Sequence, residues 1–396
     1  PGAGLPPSRP RSCGFPAHHV LTPTMPELYM GLLSGTSMDG IDAALVDYSQ
    51  QRPHLVATPI HPCPGELTQD LDRALALKDP LSEDLSALDN AMGGIFAEAA
   101  NALLAQAGVA ADTVSAIGSH GQTIHHAPDA PDPYSLQIGN PALIASHTGI
   151  EVIADFRRAD IEAGGQGAPL VPAFHRSVFS GQGEERVVLN IGGIANITIL
   201  PANPAGPVTG FDTGPGNTLM DQWTHRHLGT GMDIDGDWAR QGTTDMRLLQ
   251  ELLADPWFSK PPPKSTGREY FNLPWLLAAM NGNGVNAADV QATLCELTAR
   301  SIANAIVQYA PGSRRLLVCG GGVHNARLLE RLTAALPDHR VGSTANLGID
   351  PDWVEAVAFA WLARQHQQNR PGNIPEVTGA DATVVLGQRF LPAAAN

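Results

Sequence analysis

A chain of 396 residues is long enough for two domains with separate cores, and 43% hydrophobic with 16% charged residues is ordinary for a globular protein. Its formal net charge of −15 argues against nucleic acid or an anionic membrane as the main partner. A nucleotide stays possible, because backbone amides, helix ends and Mg²⁺ handle phosphates locally, and no apolar run approaches the ~18 residues that a membrane span needs.

Residues 1–24 open proline-rich, show no periodicity and carry no apolar segment of the signal-peptide kind, so they are expected to be a disordered extension. Between Tyr29 and Tyr48 an apolar run enters the turn Ser34-Gly35-Thr36-Ser37-Met38-Asp39-Gly40, and an alternating run from Ile41 leaves it. This predicts a β-hairpin with a polar tip. Ser34, Gly35, Thr36 and Ser37 offer hydroxyls and N–H groups without bulk, while Asp39 and Asp42 offer carboxylates suited to Mg²⁺. An ordinary glycine turn needs none of that, so the tip reads as a phosphate clamp.

A further strand is expected over 54–60, then a long helical region from about 67 to 107. Residues 114–118 form a short strand ending in Ser119-His120-Gly121-Gln122-Thr123. His120 and Gln122 suit hydrogen bonding to a polyol, and His125 and His126 read as loop residues. The three histidines invite a metal, but neither Cys ligands nor a His-Glu-x-x-His pattern accompanies them. Short strands at 136–138 and 152–154 flank a helix starting near Pro141. The loop that follows carries Arg157 and Arg158, which suit an anionic substrate group or simply a solvated face.

The chain then begins again. Residues 186–200 read as strand, Gly192-Gly193 turn and strand, and Gly210-Phe211-Asp212 closes a third strand. Two openings of one design about 160 residues apart suggest an internal duplication. The expected organisation is α/β, with residues 25–168 in one unit, 169–396 in the other, and a cleft between them. Asn190, Gly192, Gly193 and Asn196 supply a second turn that would close on the same polyphosphate. Asp212 places a carboxylate at a strand end beside a glycine-rich turn, and Asn217 is the expected N-cap of the next helix. The bland alternative has Asp212 bonding its own turn. Gly320-Gly321-Gly322, after the strand 315–319, would let a flat adenosine ring lie on bare backbone, or merely serve close packing. Cys13, Cys63, Cys295 and Cys319 lack metal-ligand spacing. Cys295 and Cys319 read as buried thiols, which fits a reducing cytoplasm.

Seven segments together resemble the anhydro-N-acetylmuramic acid kinase family: Ser34 to Asp42, Gly118 to Thr123, Gln137-Ile138-Gly139-Asn140-Pro141, Gly164 to Pro172, Asn190 to Gly193, Phe211 to Asn217, and Cys319 to Gly322. The resemblance runs from about Leu28 to the C-terminus. It implies two ribonuclease-H-like domains, of the actin, Hsp70 and sugar-kinase type, around a central ATP cleft. It implies a cytoplasmic, homodimeric enzyme of peptidoglycan recycling that uses ATP, Mg²⁺ and water to make N-acetylmuramic acid 6-phosphate from the 1,6-anhydro sugar. The serine–threonine loop through Ile41 would bind ATP, the residue matching Asp212 would be the general base, and Glu355 would contact the sugar. His120, Gln122, Asn140 and Arg158 are the further expected sugar contacts, although Ala159 stands where some relatives have a third arginine. The rivals are a sugar kinase of the same fold acting on a free hydroxyl, a non-enzymatic actin-like ATPase module, and a metal hydrolase built on His120, His125 and His126.

Overall fold

The computed structural model describes residues 2, 25–35, 40–50, 52–77, 79–282 and 284–393. The expectation for 1–24, Gly2 apart, and the turn residues Thr36, Ser37, Met38 and Asp39 lie outside the described residues. The first hairpin forms as expected. Strands β1 (Leu28–Ser34) and β2 (Gly40–Asp47) run antiparallel, with Leu28 opposite Asp47 and Ser34 opposite Ile41. The single strand expected at 54–60 is two, β3 (His54–Ala57) and β4 (Ile60–Pro62), both paired with β2. Pro59 removes a ladder donor at the break.

Strand β5 (Val114–Ser119) lies parallel to β1. After it, β6 (Gln122–Ala127) and β7 (Tyr134–Ile138) form a separate two-stranded ribbon. His125 and His126 therefore sit in a strand, not a loop: Tyr134 Oη lies 2.9 Å from His125 Nδ1, and Ser135 Oγ 2.9 Å from His126 Nδ1. Strand β8 (Val152–Ala154) extends the first sheet parallel to β5.

The second sheet repeats that plan. Strands β9 (Arg186–Ile191), β10 (Ile194–Leu200) and β11 (Thr209–Pro215) are antiparallel, and β12 (Arg315–Cys319) and β13 (Arg340–Ser343) add in parallel beyond β9. The order β11-β10-β9-β12-β13 matches β3-β2-β1-β5-β8, so both units have the ribonuclease-H-like strand order. The fold class is the expected one.

The long helical region is interrupted. Helices Gly65–Leu75 and Ser86–Ala107 are separated by a tight turn that starts at Pro80, a residue that disfavours helix before it. Among the described residues no helix is long and apolar enough to cross a membrane.

The C-terminal segment departs from the expected division. Helix Val354–Gln367 packs on β1, β2 and β5, and β14 (Gln388–Phe390) pairs antiparallel with β8. Residues 354–390 therefore belong with the first sheet, not with the second unit as a 169–396 boundary would have it. Two glycines make the docking possible. Gly31 and Gly118 face each other in the β1–β5 register, and a Cβ on them would overlap the carbonyl oxygens of Ala356 and Phe359. One apolar cluster contains Tyr29, Val188, Leu317 and Phe359, side chains from both sheets and this helix, together with Phe174 of helix Val171–Phe179. Asp160, fully buried, ties the segment down by accepting from Gly167 N at 2.8 Å, Asn373 Nδ2 at 2.7 Å and Thr378 Oγ1 at 2.7 Å.

Candidate active site

Near the carboxyl ends of the parallel strands β9 and β12, Asn190 and Cys319 lie beside Val354 and Glu355, at the start of the helix that packs on the first sheet; strand carboxyl ends are where α/β sheets bind ligands. On the second sheet the register sets Asp212 opposite Asn196, Asn196 opposite Asn190, and Asn190 opposite Cys319. Paired residues share a face. A polar row thus crosses β11, β10 and β9 on the face directed toward the first sheet. Glu355, in the first turn of helix Val354–Gln367, closes the far side of a small cavity lined also by Asn190, Asn196 and Cys319.

Asp212 is in mid-strand, not at a strand end. Its backbone N donates to Lys264 O at 3.1 Å, and its Oδ2 accepts from Thr266 N at 2.9 Å. The partner is a loop more than fifty residues away, so this is not an aspartate bonding its own turn. Burial pushes the Asp212 carboxyl up to about 6; the Thr266 N–H and Lys264 oppose the rise, and Glu269 adds to it. Lys264 is itself fixed by donating to Phe258 O at 3.0 Å and lying 4.4 Å from the Trp257 ring centre. The carboxylate is rigid, partly desolvated and close to neutrality in its proton affinity. Those are the properties of a general base.

His120 plays another part than polyol binding. Its Nε2 lies 2.9 Å from Arg157 Nη2 and its Nδ1 3.0 Å from Gly121 O. A guanidinium can only donate, so Nε2 accepts and Nδ1 carries the proton. Burial, then the Arg157 charge, pushes the imidazole down to about 3, and it stays neutral. Its ring also lies 4.6 Å from that of Phe359. His120 is therefore a support for Arg157.

Arg157 donates to Gly167 O at 2.8 Å, and its buried Nε has no partner. Burial lowers the guanidinium to about 10, with Glu355 and Asp160 opposing. Burial likewise raises the Glu355 carboxyl against the pull of Arg157, although that carboxyl stays open toward the cleft. Arg158 points elsewhere: it is exposed and donates to Asp155 Oδ2 at 2.5 Å. Of the two it is Arg157 that turns into the protein, which two adjacent identical residues in a polar loop could not reveal. Arg158→Ala is expected to leave kcat/KM within about threefold of the parent, since exposed ion pairs contribute little; steady-state assays on the variant measure it.

Asn140 is also a structural residue. Its Oδ1 caps helix Pro141–Thr148 by accepting from Ala142 N and Leu143 N, and its Nδ2 donates to Asn90 Oδ1 at 2.7 Å. Gln122 is buried, donates to Thr123 O at 3.2 Å, and keeps an unpartnered Oε1.

The phosphate turns sort similarly. Ser34 is buried at the end of β1, and the Ile41 side chain lies in the core, so Ile41 can offer only backbone. Gly40 faces Ile60 and His61, and Asp42 sits on β2 between Leu33 and Ile60 in register. The carbonyls of Gly192 and Gly193 accept from Asn217 N at 2.8 Å and Gly216 N at 2.9 Å. That seats the second turn on the N-terminus of helix Thr218–Leu228. Asn217 precedes this helix but donates its side chain to Ile191 O at 3.3 Å instead of capping it. In the triple glycine, Gly320 has φ +78° and lies against Asn190 Oδ1, Gly322 is pressed on Ile191, and Gly321 alone has open space. Packing explains two of the glycines and access the third.

Residues 27–392 match the family model of anhydro-N-acetylmuramic acid kinase. Proteins of that name from Shewanella halifaxensis and Shewanella oneidensis are each 51% identical, over 366 and 363 residues, covering 92% and 91% of this chain and 98% of each relative. The one from Coxiella burnetii is 49% identical over 361 residues, covering 91% of this chain and 96% of the relative.

Proposed function

We propose, for a chain that belongs to the anhydro-N-acetylmuramic acid kinase family and is thereby a phosphotransferase, that it hydrolytically opens the 1,6-anhydro ring while phosphorylating O6. The products would be N-acetylmuramic acid 6-phosphate and ADP, and the setting peptidoglycan recycling. The observation that carries this reading is Asp212, a rigid carboxylate held near neutral proton affinity at the inner face of the second sheet.

In the anhydro sugar O6 is tied to C1, so no free hydroxyl can attack ATP. Water adds at C1 and the C1–O6 bond breaks. O6 takes that electron pair and forms the bond to the γ-phosphorus, and ADP leaves. The proton lost by the water goes to Asp212, as to the base in inverting glycoside hydrolysis. Thr266 N–H occupies one Asp212 oxygen and leaves the other to point at the water. Glu355 and Arg157, near enough for their charges to interact, would hold the sugar's polar groups. The turns at Ser34–Gly40 and Gly192–Gly193 would cradle the phosphates of ATP, with Gly321 open to the base. Mg²⁺ would neutralise charge on the transferring phosphoryl group. Asp39 and Asp42 would supply carboxylates for an ion bound mainly by phosphates and water.

The bridge holds O6 on the β face of C1, so water displacing it in line arrives from the α face. The first-formed product is therefore expected to be the α anomer, seen by proton NMR faster than mutarotation. In ¹⁸O-water the label should enter C1 and not phosphate. A sugar kinase using a free hydroxyl would put no label at C1. ADP release with N-acetylglucosamine equal to that with the anhydro sugar would sink the assignment of substrate.

A further inference from the structure

The polar row on the second sheet continues inward past the site. Asn196 and Thr198 are two residues apart on β10 and share its inner face, where their neighbours Val188 and Leu317 are core residues. Thr198 is buried and lies 2.9 Å through its Oγ1 from His175 Nδ1. His175 comes from helix Val171–Phe179 and is only 3% exposed. Its other ring nitrogen, Nε2, is buried with no partner among the described residues. Burial pushes this imidazole down to about 3, so it is neutral.

His175, Thr198, Asn190, Asn196 and Glu355 line one cavity of about 70 Å³. An imidazole nitrogen left unpartnered in a core loses its hydration with nothing in return. A cavity that is polar and has this volume holds water when two to four polar partners surround it, and about 10–15 Å³ suffices per molecule. The volume suffices, and although more of the wall is apolar than polar, Asn190, Asn196 and Glu355 add polar groups beside His175. An apolar histidine slot would need no asparagines at its mouth.

We propose that this cavity holds a short chain of ordered water running from His175 Nε2, past Asn190 and Asn196, to Glu355, and that His175 is a positioning residue for the water consumed at C1. The inference rests on the ring-opening reading above. Asn196, which lines the cavity, is the cross-strand neighbour of Asp212, so the chain passes one strand away from the general base on its way to Glu355. Thr198 fixes the imidazole so that Nε2 faces the first water. Waters held this way keep the attacking molecule oriented while the bulky sugar covers the entrance.

High-resolution crystallography of the full chain is expected to show water within about 3.2 Å of His175 Nε2; a dry cavity overturns the proposal. Kinetics give the second arm. His175→Leu removes the anchor with little change in size and is expected to lower kcat at least about tenfold, with KM for ATP and for the sugar within about twofold. His175→Gln, whose amide can bond the first water, should recover most of that loss. A purely structural role would instead lower the melting temperature in both variants in step with activity. Unchanged kcat in folded His175→Leu, or no recovery in folded His175→Gln, overturns the proposal. Should His175→Leu fail to fold, the crystal structure and the Gln variant decide. Parent enzyme that puts no ¹⁸O at C1 defeats the ring-opening reading itself, and leaves the occupancy of the cavity to be settled by the crystal structure.

Discussion

Asp212→Asn is expected to lower turnover by about 10²–10⁴-fold, the usual range for loss of a general base, while ATP affinity stays within about threefold. The amide keeps the shape and can still accept from Thr266 N–H, but it cannot take a proton from water. The same change should make the protein harder to unfold. Burial raises the Asp212 carboxyl to about 6, against about 3.9 in an unfolded chain. Between those values the unfolded chain gives up its proton first, so the contribution of Asp212 to stability falls as pH rises through 4 to 6. Above pH 6 the folded state carries a poorly solvated charge, which asparagine lacks. A gain of about 1–3 kcal/mol at pH 7.5 is expected, vanishing near pH 4. In the parent enzyme kcat/KM should fall on the acid side with an apparent pKa of about 6. Turnover within twofold of the parent would remove Asp212 from the role of base, and a variant less stable at pH 7.5 would show that burial does not raise its carboxyl.

The two hairpins and the repeated strand–turn–strand opening were legible because each is local, and Asp212 stood out as a candidate for the same reason. Alternation marks the strands, glycine marks the turns, and a carboxylate beside Gly214 and Gly216 stands out. What was not legible depends on distance. Arg157 and Arg158 are neighbours with identical chemistry, and only the course of helix Arg158–Glu162 decides which one turns inward to His120. Asn140 looks like a substrate amide until the helix after it is seen to need a cap. His175 lies in an apolar helix and gave no signal at all, since its meaning comes from Thr198 on another element. Of the β6–β7 ribbon only the end of β7 was expected; β6 was hidden by its polar side chains, which break the alternation that identifies strands. The return of residues 354–390 to the first sheet was equally invisible. It is encoded in Gly31 and Gly118, single residues whose only property is the side chain they lack.

Those glycines carry the last prediction. Helix Val354–Gln367 rests its backbone on β1 and β5, and Glu355 at its start reaches the polar row of the second sheet. The helix thus joins a sheet of one unit to the site of the other. A methyl at Gly118 would enter the space of the Phe359 carbonyl, and one at Gly31 that of the Ala356 carbonyl. Both obstacles are backbone, so no rotamer change relieves them, and the helix must lift. Gly118→Ala is expected to cost about 3 kcal/mol or more, at the upper end of overpacking. By lifting Glu355 it should also reduce kcat in whatever fraction stays folded. Gly94→Ala is the control. Gly94 lies inside helix Ser86–Ala107, and a methyl added to it would meet nothing within 4 Å. Alanine there should therefore stabilise by about 0.5–1 kcal/mol. Urea melts of the two variants would then move in opposite directions. A Gly118→Ala protein as stable and active as the parent would show that the helix does not bear on the strands as closely as described, and that Glu355 is placed by other contacts.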